Sequence, residues 1–172
     1  MKNSVKITSG IYRGRSILTP GEGTHPMGER ERLALFNKIS EYLAGAKVLD
    51  AFAGSGALGI EAISRGAASV TFVEKNPKAA RIIRENLKAL GIEGDVVVGD
   101  ANKYTSEEKF DIILIDPPYD NIMAFSNPFF QLKEGGILIL SHPGEAPKLP
   151  DLVLVDSRKY AGATLSYYAN AK

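Results

Sequence analysis

From Lys47 onward, short apolar runs alternate with stretches of helical spacing, the pattern of a doubly wound α/β domain. The runs VLDAF (48–52), SVTFVE (69–74), DVVVGD (95–100), FDIILID (110–116) and GILIL (136–140) are predicted strands. They carry Val, Ile and Leu without polar alternation, which predicts burial on both faces and therefore a parallel sheet. Helices are predicted over about 57–66, 76–90 and 122–132. The second is the clearest: Pro77 sits in its first turn, Ala80, Ile83, Leu87 and Leu90 recur every three or four residues, and Gly91 stops it.

Both ends of the chain depart from this rhythm. LVLVD (152–156) and ATLSYYA (163–169) are separated by SRKYAG with no helix between them, which predicts an antiparallel hairpin at one edge of the sheet. Tyr160, Tyr167 and Tyr168 in this hairpin are read as edge-strand packing. Near the start, VKI and SIL within residues 5–18 flank a turn-like GIYRGR, a small β appendage. ERERLALFNKISEYL (29–43) then places Leu33, Phe36, Ile39, Tyr42 and Leu43 on one stripe of an amphipathic helix. The expected organisation is a basic β appendage over residues 1–28 and a main α/β domain over 29–172.

Composition narrows the chemistry. A chain of 172 residues can bury a core without staples, and the lack of cysteine removes disulfides, thiolate nucleophiles and cysteine-ligated zinc. His25 and His142 lack metal-ligand spacing and are read as loop residues, so no metal is expected. No apolar run approaches the roughly 20 residues of a membrane span, and MKNSVKITSG has no signal-peptide core, so a cytoplasmic protein is expected, with a monomer as the default. The formal net charge is +1, but it is unevenly spread. Residues 1–38 hold Lys2, Lys6, Arg13, Arg15, Arg30, Arg32 and Lys38 against Glu22, Glu29 and Glu31, a net of +4, which leaves −3 for the rest. A basic arm on a slightly acidic body suits phosphates at the arm and chemistry in the body; a merely solvated N-terminus fits the charge equally well.

Two motifs carry the chemistry. In VLDAFAGSGALG, a predicted strand runs into Gly54, Gly56 and Gly59 in G-x-G-x-x-G spacing and then into a helix, whose N-terminal N–H groups are free to meet a ligand. Alone, this fits a dinucleotide fold as well as a methyltransferase. Glu74 ends the next strand twenty positions after Gly54, where an acid can accept bonds from both ribose hydroxyls of an adenosine group. Asp50 discriminates, since a carboxylate just before the loop suits a cofactor with a cationic amino-acid end and repels a pyrophosphate. Asp100, ending the third strand, is placed to receive an adenine amino group or to cap the next turn.

The second motif is Asp116-Pro117-Pro118-Tyr119 at the carboxyl end of a predicted buried strand, the edge where open α/β sheets bind ligands. Consecutive prolines fix both φ angles and make a stiff elbow, which would aim the Pro117 carbonyl and the Asp116 carboxylate at the two hydrogens of one NH2 group. An exocyclic base amine is a poor nucleophile because its lone pair is delocalised, and such acceptors would draw it towards a tetrahedral nitrogen. Tyr119 offers a face on which a flipped base can stack. Asn127-Pro128-Phe129-Phe130 loosely echoes the tetrapeptide, follows no apolar strand, and is read as helix punctuation.

With these motifs in this order, the chain resembles the class I methyltransferases and, among them, the bacterial family that methylates guanine N2 of 16S ribosomal RNA (the RsmD type). SGIYRGRSILTP (9–20), ERERLALFNKI (29–39) and above all DAFAGSGALGIEAISRGA (50–67) carry the likeness. The resemblance implies a Rossmann-like α/β fold with a seven-stranded, mostly parallel sheet and an inserted antiparallel hairpin strand. It implies S-adenosylmethionine as cofactor, held by Asp50, Ala53, Gly54, Gly56, Glu74 and Asp100, and a target base held by Asp116, Pro117, Pro118 and Tyr119. Arg13, Arg15 and Arg30 would face phosphates of 16S rRNA or of a small-subunit assembly particle. An adenine-N6 methyltransferase acting on DNA or RNA remains an alternative, because the tetrapeptide serves both amines, although the compact chain has no room for a sizeable target-recognition insertion. A nicotinamide-binding oxidoreductase would leave Asp50 and the proline elbow unexplained, and a non-catalytic RNA-binding relic would leave the intact motif unused.

Overall fold

The computed structural model describes residues 3–21, 26–118 and 131–170. Nine strands and four helices lie within them: β1 (Ser4–Lys6), β2 (Ser16–Leu18), α1 (Glu29–Lys38), α2 (Ser40–Leu43), β3 (Lys47–Asp50), α3 (Ala57–Ser64), β4 (Ser69–Glu74), α4 (Pro77–Leu90), β5 (Asp95–Val98), β6 (Phe110–Ile115), β7 (Leu132–His142), β8 (Val153–Lys159) and β9 (Thr164–Ala169). β1 and β2 form a separate antiparallel pair, and the other seven make one sheet in the order β5-β4-β3-β6-β7-β9-β8. β3 to β7 are mutually parallel, while β9 is antiparallel to both β7 and β8. The terminal hairpin is thus inserted with its second strand inside and β8 at the edge.

The unbroken apolar strands do feed two cores. Val48, Ile112, Leu114, Ile137 and Ile139 pack on one face with α1 and α3, and Leu49, Ile113, Ile115, Leu138 and Leu140 pack on the other. Ile7 and Ile17 of the N-terminal hairpin bury in the first of these clusters, so the appendage shares the main core. α4 begins at Pro77 with the Asn76 side chain accepting the Lys78 N–H at 2.9 Å, and ends at Gly91 in the left-handed conformation, φ 68°. These caps fix both ends where the sequence predicts them.

Three expectations need correction. The helix predicted over 29–43 is two pieces with a break at Ile39, and its buried positions are Arg32, Leu35, Phe36, Ile39 and Leu43, whereas Leu33 and Tyr42 are exposed. The apolar stripe left out Arg32 because it carries a charge; a buried Glu61 on α3 compensates it. Leu132 opens β7 instead of closing a helix; the rest of the predicted helix, with Asn127-Pro128-Phe129-Phe130, lies outside the described residues, except Gln131. His142 is the last residue of β7, fully buried, with Nε2 against Ser166 Oγ at 2.6 Å, and is no loop residue. His25 lies outside the described residues.

Candidate active site

The first βα turn leaves β3 at Asp50 and enters α3 at Ala57. The Ala53 N–H donates to the Val73 carbonyl, and the Gly56 N–H returns to the Ala53 carbonyl. Gly56, with φ 82°, holds the left-handed conformation that opens the helix. Gly59 answers a different need: a Cβ there would lie 2.3 Å from Phe72 Cε1 and 2.9 Å from Val70 Cγ1, so the third glycine lets α3 lie directly on β4.

Acids converge around this loop. Glu74 Oε2 accepts the Gly54 N–H at 2.7 Å and Oε1 accepts the Asn76 N–H at 2.9 Å, which holds the carboxylate against the loop with lone pairs to spare. Asp50 is fully buried, and its Oδ2 accepts the Gly59 N–H at 3.0 Å. Its Oδ1 has no hydrogen-bond partner among the described residues. Burial pushes the Asp50 carboxyl up to about 7; the Gly59 N–H opposes the rise, and the charges of Asp116 and Glu74 add to it. Asp100 caps the turn that follows it, Oδ1 accepting the Asn102 N–H at 2.9 Å.

The elbow faces the same space. Asp50 pairs in register with Leu114, so Asp116 stands one pleat further along the adjacent strand on the same face. Asp116 is half-buried, Pro117 buried and Pro118 exposed. Burial pushes the Asp116 carboxyl up to about 6, against a hydrogen bond from the Ser141 side chain that lowers it. Tyr119 lies outside the described residues. Asp50, Ala53, Gly54, Gly56, Glu74, Asp116 and Pro117 therefore meet at the carboxyl ends of β3, β4 and β6. The site is acidic, and an orphaned buried carboxylate oxygen within it fits a cationic ligand and disfavours a pyrophosphate.

The three arginines are not brought together. The Ile11 N–H donates to the Ser64 carbonyl and the Tyr12 N–H to Ser64 Oγ, at the last residue of α3, while Arg15 Nη2 donates to the Ala89 carbonyl near the end of α4. Both helices start at the acidic site, and α4 alone spans about 20 Å, so Arg13 and Arg15 stand at the opposite edge of the sheet. Arg30 is in the first turn of α1, whose other end meets Arg65 through Asn37. Sequence reasoning also missed Ser141, Arg32 and Glu61; a serine ending the apolar run ILIL was the available sign for the first.

Because Asp50 is held with a raised pKa, its ionised form destabilises the ligand-free fold. The penalty is absent below the unfolded value of 3.8 and complete above about 7. Asp50→Asn is therefore expected to raise the ligand-free melting temperature by a few degrees at pH 8 and by much less at pH 5, while weakening cofactor binding. Thermal unfolding at the two pH values, beside calorimetric titration, tests both halves; equal shifts at both pH values would refute the burial argument.

A parallel sheet carrying a glycine loop after β3, acids ending β3 and β4, and an antiparallel strand inserted beside β7 is the class I methyltransferase architecture. Within that class, the family model described as "Conserved hypothetical protein 95" matches residues 5–169, and the chain belongs to this family, the RsmD family. It is 34% identical over 170 residues to a Bacillus subtilis (strain 168) protein, YlbH, named provisionally as an rRNA methyltransferase, covering 90% of this chain and 92% of that one. It is 35% identical over 126 residues to the ribosomal RNA small subunit methyltransferase D of Haemophilus influenzae, covering 69% of this chain and 65% of that enzyme. A solved Escherichia coli structure, described provisionally as the methyltransferase yhhF, superposes with a TM-score of 0.88 at 28% identity over 99% of this chain and all of the other.

Proposed function

We propose that this protein transfers a methyl group from S-adenosylmethionine to the exocyclic N2 of a guanine in 16S ribosomal RNA. The observation that carries the reading is the placement of Asp116 and Pro117 one pleat beyond Asp50 on adjoining strands, which sets amine acceptors beside a carboxylate with one oxygen unpartnered among the described residues. S-adenosylmethionine supplies an electrophilic sulfonium methyl when bound. Asp50 Oδ1 receives its ammonium end, Glu74 its ribose hydroxyls, and the backbone of Ala53, Gly54 and Gly56 leaves room for close approach. Asp116 and the Pro117 carbonyl accept the two N–H groups of the target amine and free its lone pair. Ionised above about pH 6, Asp116 is also placed to take up the proton that the amine releases. Tyr119 is the stacking partner of the base in this reading.

RNA is held away from the site as well as at it. Arg13 and Arg15, at the far edge, contact phosphates that only a large folded RNA or particle can bring there, and Arg30 contacts RNA at the first turn of α1. Arg13→Glu with Arg15→Glu is expected to lower the salt slope of RNA binding by about two and to leave cofactor affinity unchanged. Unchanged RNA binding across a salt series would remove these residues from the interface. No helix among the described residues is long and apolar enough to cross a membrane.

The direct test is methyl transfer from labelled S-adenosylmethionine to unmodified small-subunit particles, free 16S rRNA and duplex DNA in parallel, with the product nucleoside identified by mass. N2-methylguanosine in the ribosomal samples supports the reading. Methyladenine would keep the class and overturn the substrate.

A further inference from the structure

β7 runs Ile137-Leu138-Ile139-Leu140 and then breaks its apolar run at Ser141, which is 2% exposed. Ile115 of β6 is in register with Leu140, so Asp116 and Ser141 follow as neighbours one position on. Side chains alternate along β7, and Ser141 shares the face of Ile137 and Ile139, the face that also carries Asp50 and α3. A hydroxyl buried there requires a partner, and the Ser141 side chain hydrogen-bonds the Asp116 carboxylate. His142 is turned to the opposite face, its ring between Ser166 Oγ and the Pro143 carbonyl, and Asp50 of β3 is the charged group beside Asp116 in the same space.

We propose that Ser141 is a positioning residue for methyl transfer, donating to one oxygen of Asp116 so that the other oxygen stays turned to the target amine. The proposal rests on Asp116 acting as the amine acceptor. Two effects follow from one bond. The carboxylate loses rotational freedom, since a half-buried Asp with a single fixed oxygen has one productive orientation. The bond also favours the ionised form against the burial that opposes it. A packing role alone would need neither the hydroxyl nor the charge state, and valine would serve a buried strand interior better than serine.

The test is the pH profile of kcat for the wild-type protein, Ser141→Ala, Ser141→Thr and Asp116→Asn, with cofactor affinity and thermal unfolding measured alongside. Without the Ser141 donor, the Asp116 carboxyl rises, so the acid limb of Ser141→Ala is expected to move to higher pH by about half a unit or more. The loss should be about twofold or more near pH 6 and should shrink towards pH 8.5, with cofactor affinity unchanged and with threonine restoring the profile. A Ser141→Ala profile that superposes on the wild type, or a loss uniform across pH that threonine does not repair, overturns the proposal. If Asp116→Asn itself keeps full activity, the acceptor reading fails first, and the positioning role fails with it.

Discussion

Asp116→Asn is expected to lower methyl transfer by at least about a hundredfold while leaving the affinity for S-adenosylmethionine within twofold of wild type. The replacement keeps the size of the side chain at the end of β6. It removes the negative charge and can turn an NH2 group towards the N–H it should accept, so the amine faces repulsion where it needs an acceptor. The Pro117 carbonyl remains, and one acceptor still orients the base, which is why some residual rate is expected. Cofactor affinity should survive because Asp50 and Glu74 keep their own bonds, to Gly59 and to Gly54 and Asn76. The pH dependence supplies an independent check. Burial holds the Asp116 carboxyl at about 6, so wild-type activity should fall as pH drops through that value, and the limb should vanish in the variant. Loss of cofactor binding in parallel with activity would instead place Asp116 in the cofactor cradle, and full activity would mean that the target amine is held elsewhere.

The largest expected effect on stability lies away from the site. Glu61→Ala should cost about 3–5 kcal/mol in a denaturant unfolding experiment, a large share of what holds a domain of this size together. Glu61 is 1% exposed and accepts from the Thr8 N–H at 3.0 Å, the Ser9 N–H at 3.1 Å and Arg65 Nε at 3.0 Å, with Arg32 Nε 3.5 Å away. Arg32 is itself 2% exposed and donates to the carbonyls of Lys6 and Met27. Truncating Glu61 leaves the buried Arg32 guanidinium without its main counter-charge, only Glu29 remaining, and leaves two backbone donors of the N-terminal hairpin without an acceptor. The wild-type pair is not expected to be worth the full penalty, since removing one partner of a buried ion pair costs more than the pair contributes. Adding Arg32→Met to Glu61→Ala should therefore recover part of the loss, and only part, because Thr8 and Ser9 still lack their acceptor. Hydrogen exchange should show residues 7–12 opening first. A cost below about 1 kcal/mol would mean that water or a rearranged Arg65 replaces the lost carboxylate.

These two residues mark how far the chain could be read without its fold. Asp116 announces itself, because Asp-Pro-Pro-Tyr is a local arrangement whose geometry is set by two adjacent proline rings and by the strand that precedes it. The glycine loop is legible for the same reason, and so is Glu74, since strand length fixes its distance from Gly54. Glu61 is legible in position, on the helix after the loop, but nothing in a linear pattern tells a solvated glutamate from one buried under a hairpin that lies more than 50 residues earlier. Arg32, which a linear pattern counts only as one more positive charge, is buried for the same reason.

The sequence by itself determined the class of fold, the order of the strands along the chain, the helices after β3 and β4, the caps of α4 and the two motifs, because each depends on residues close together in the chain and on periodicities of two and 3.6. Tertiary structure alone decided which partners meet across the sheet. It set Ser141 beside Asp116, gave Asp50 one oxygen committed to Gly59 and one without a partner among the described residues, clamped the N-terminal hairpin on Glu61, and separated Arg13 and Arg15 from the acidic edge by the length of a helix. The physical reason is that burial and register are properties of neighbours brought from elsewhere in the chain. A polar side chain acquires its role from the desolvation and hydrogen bonds that those neighbours impose.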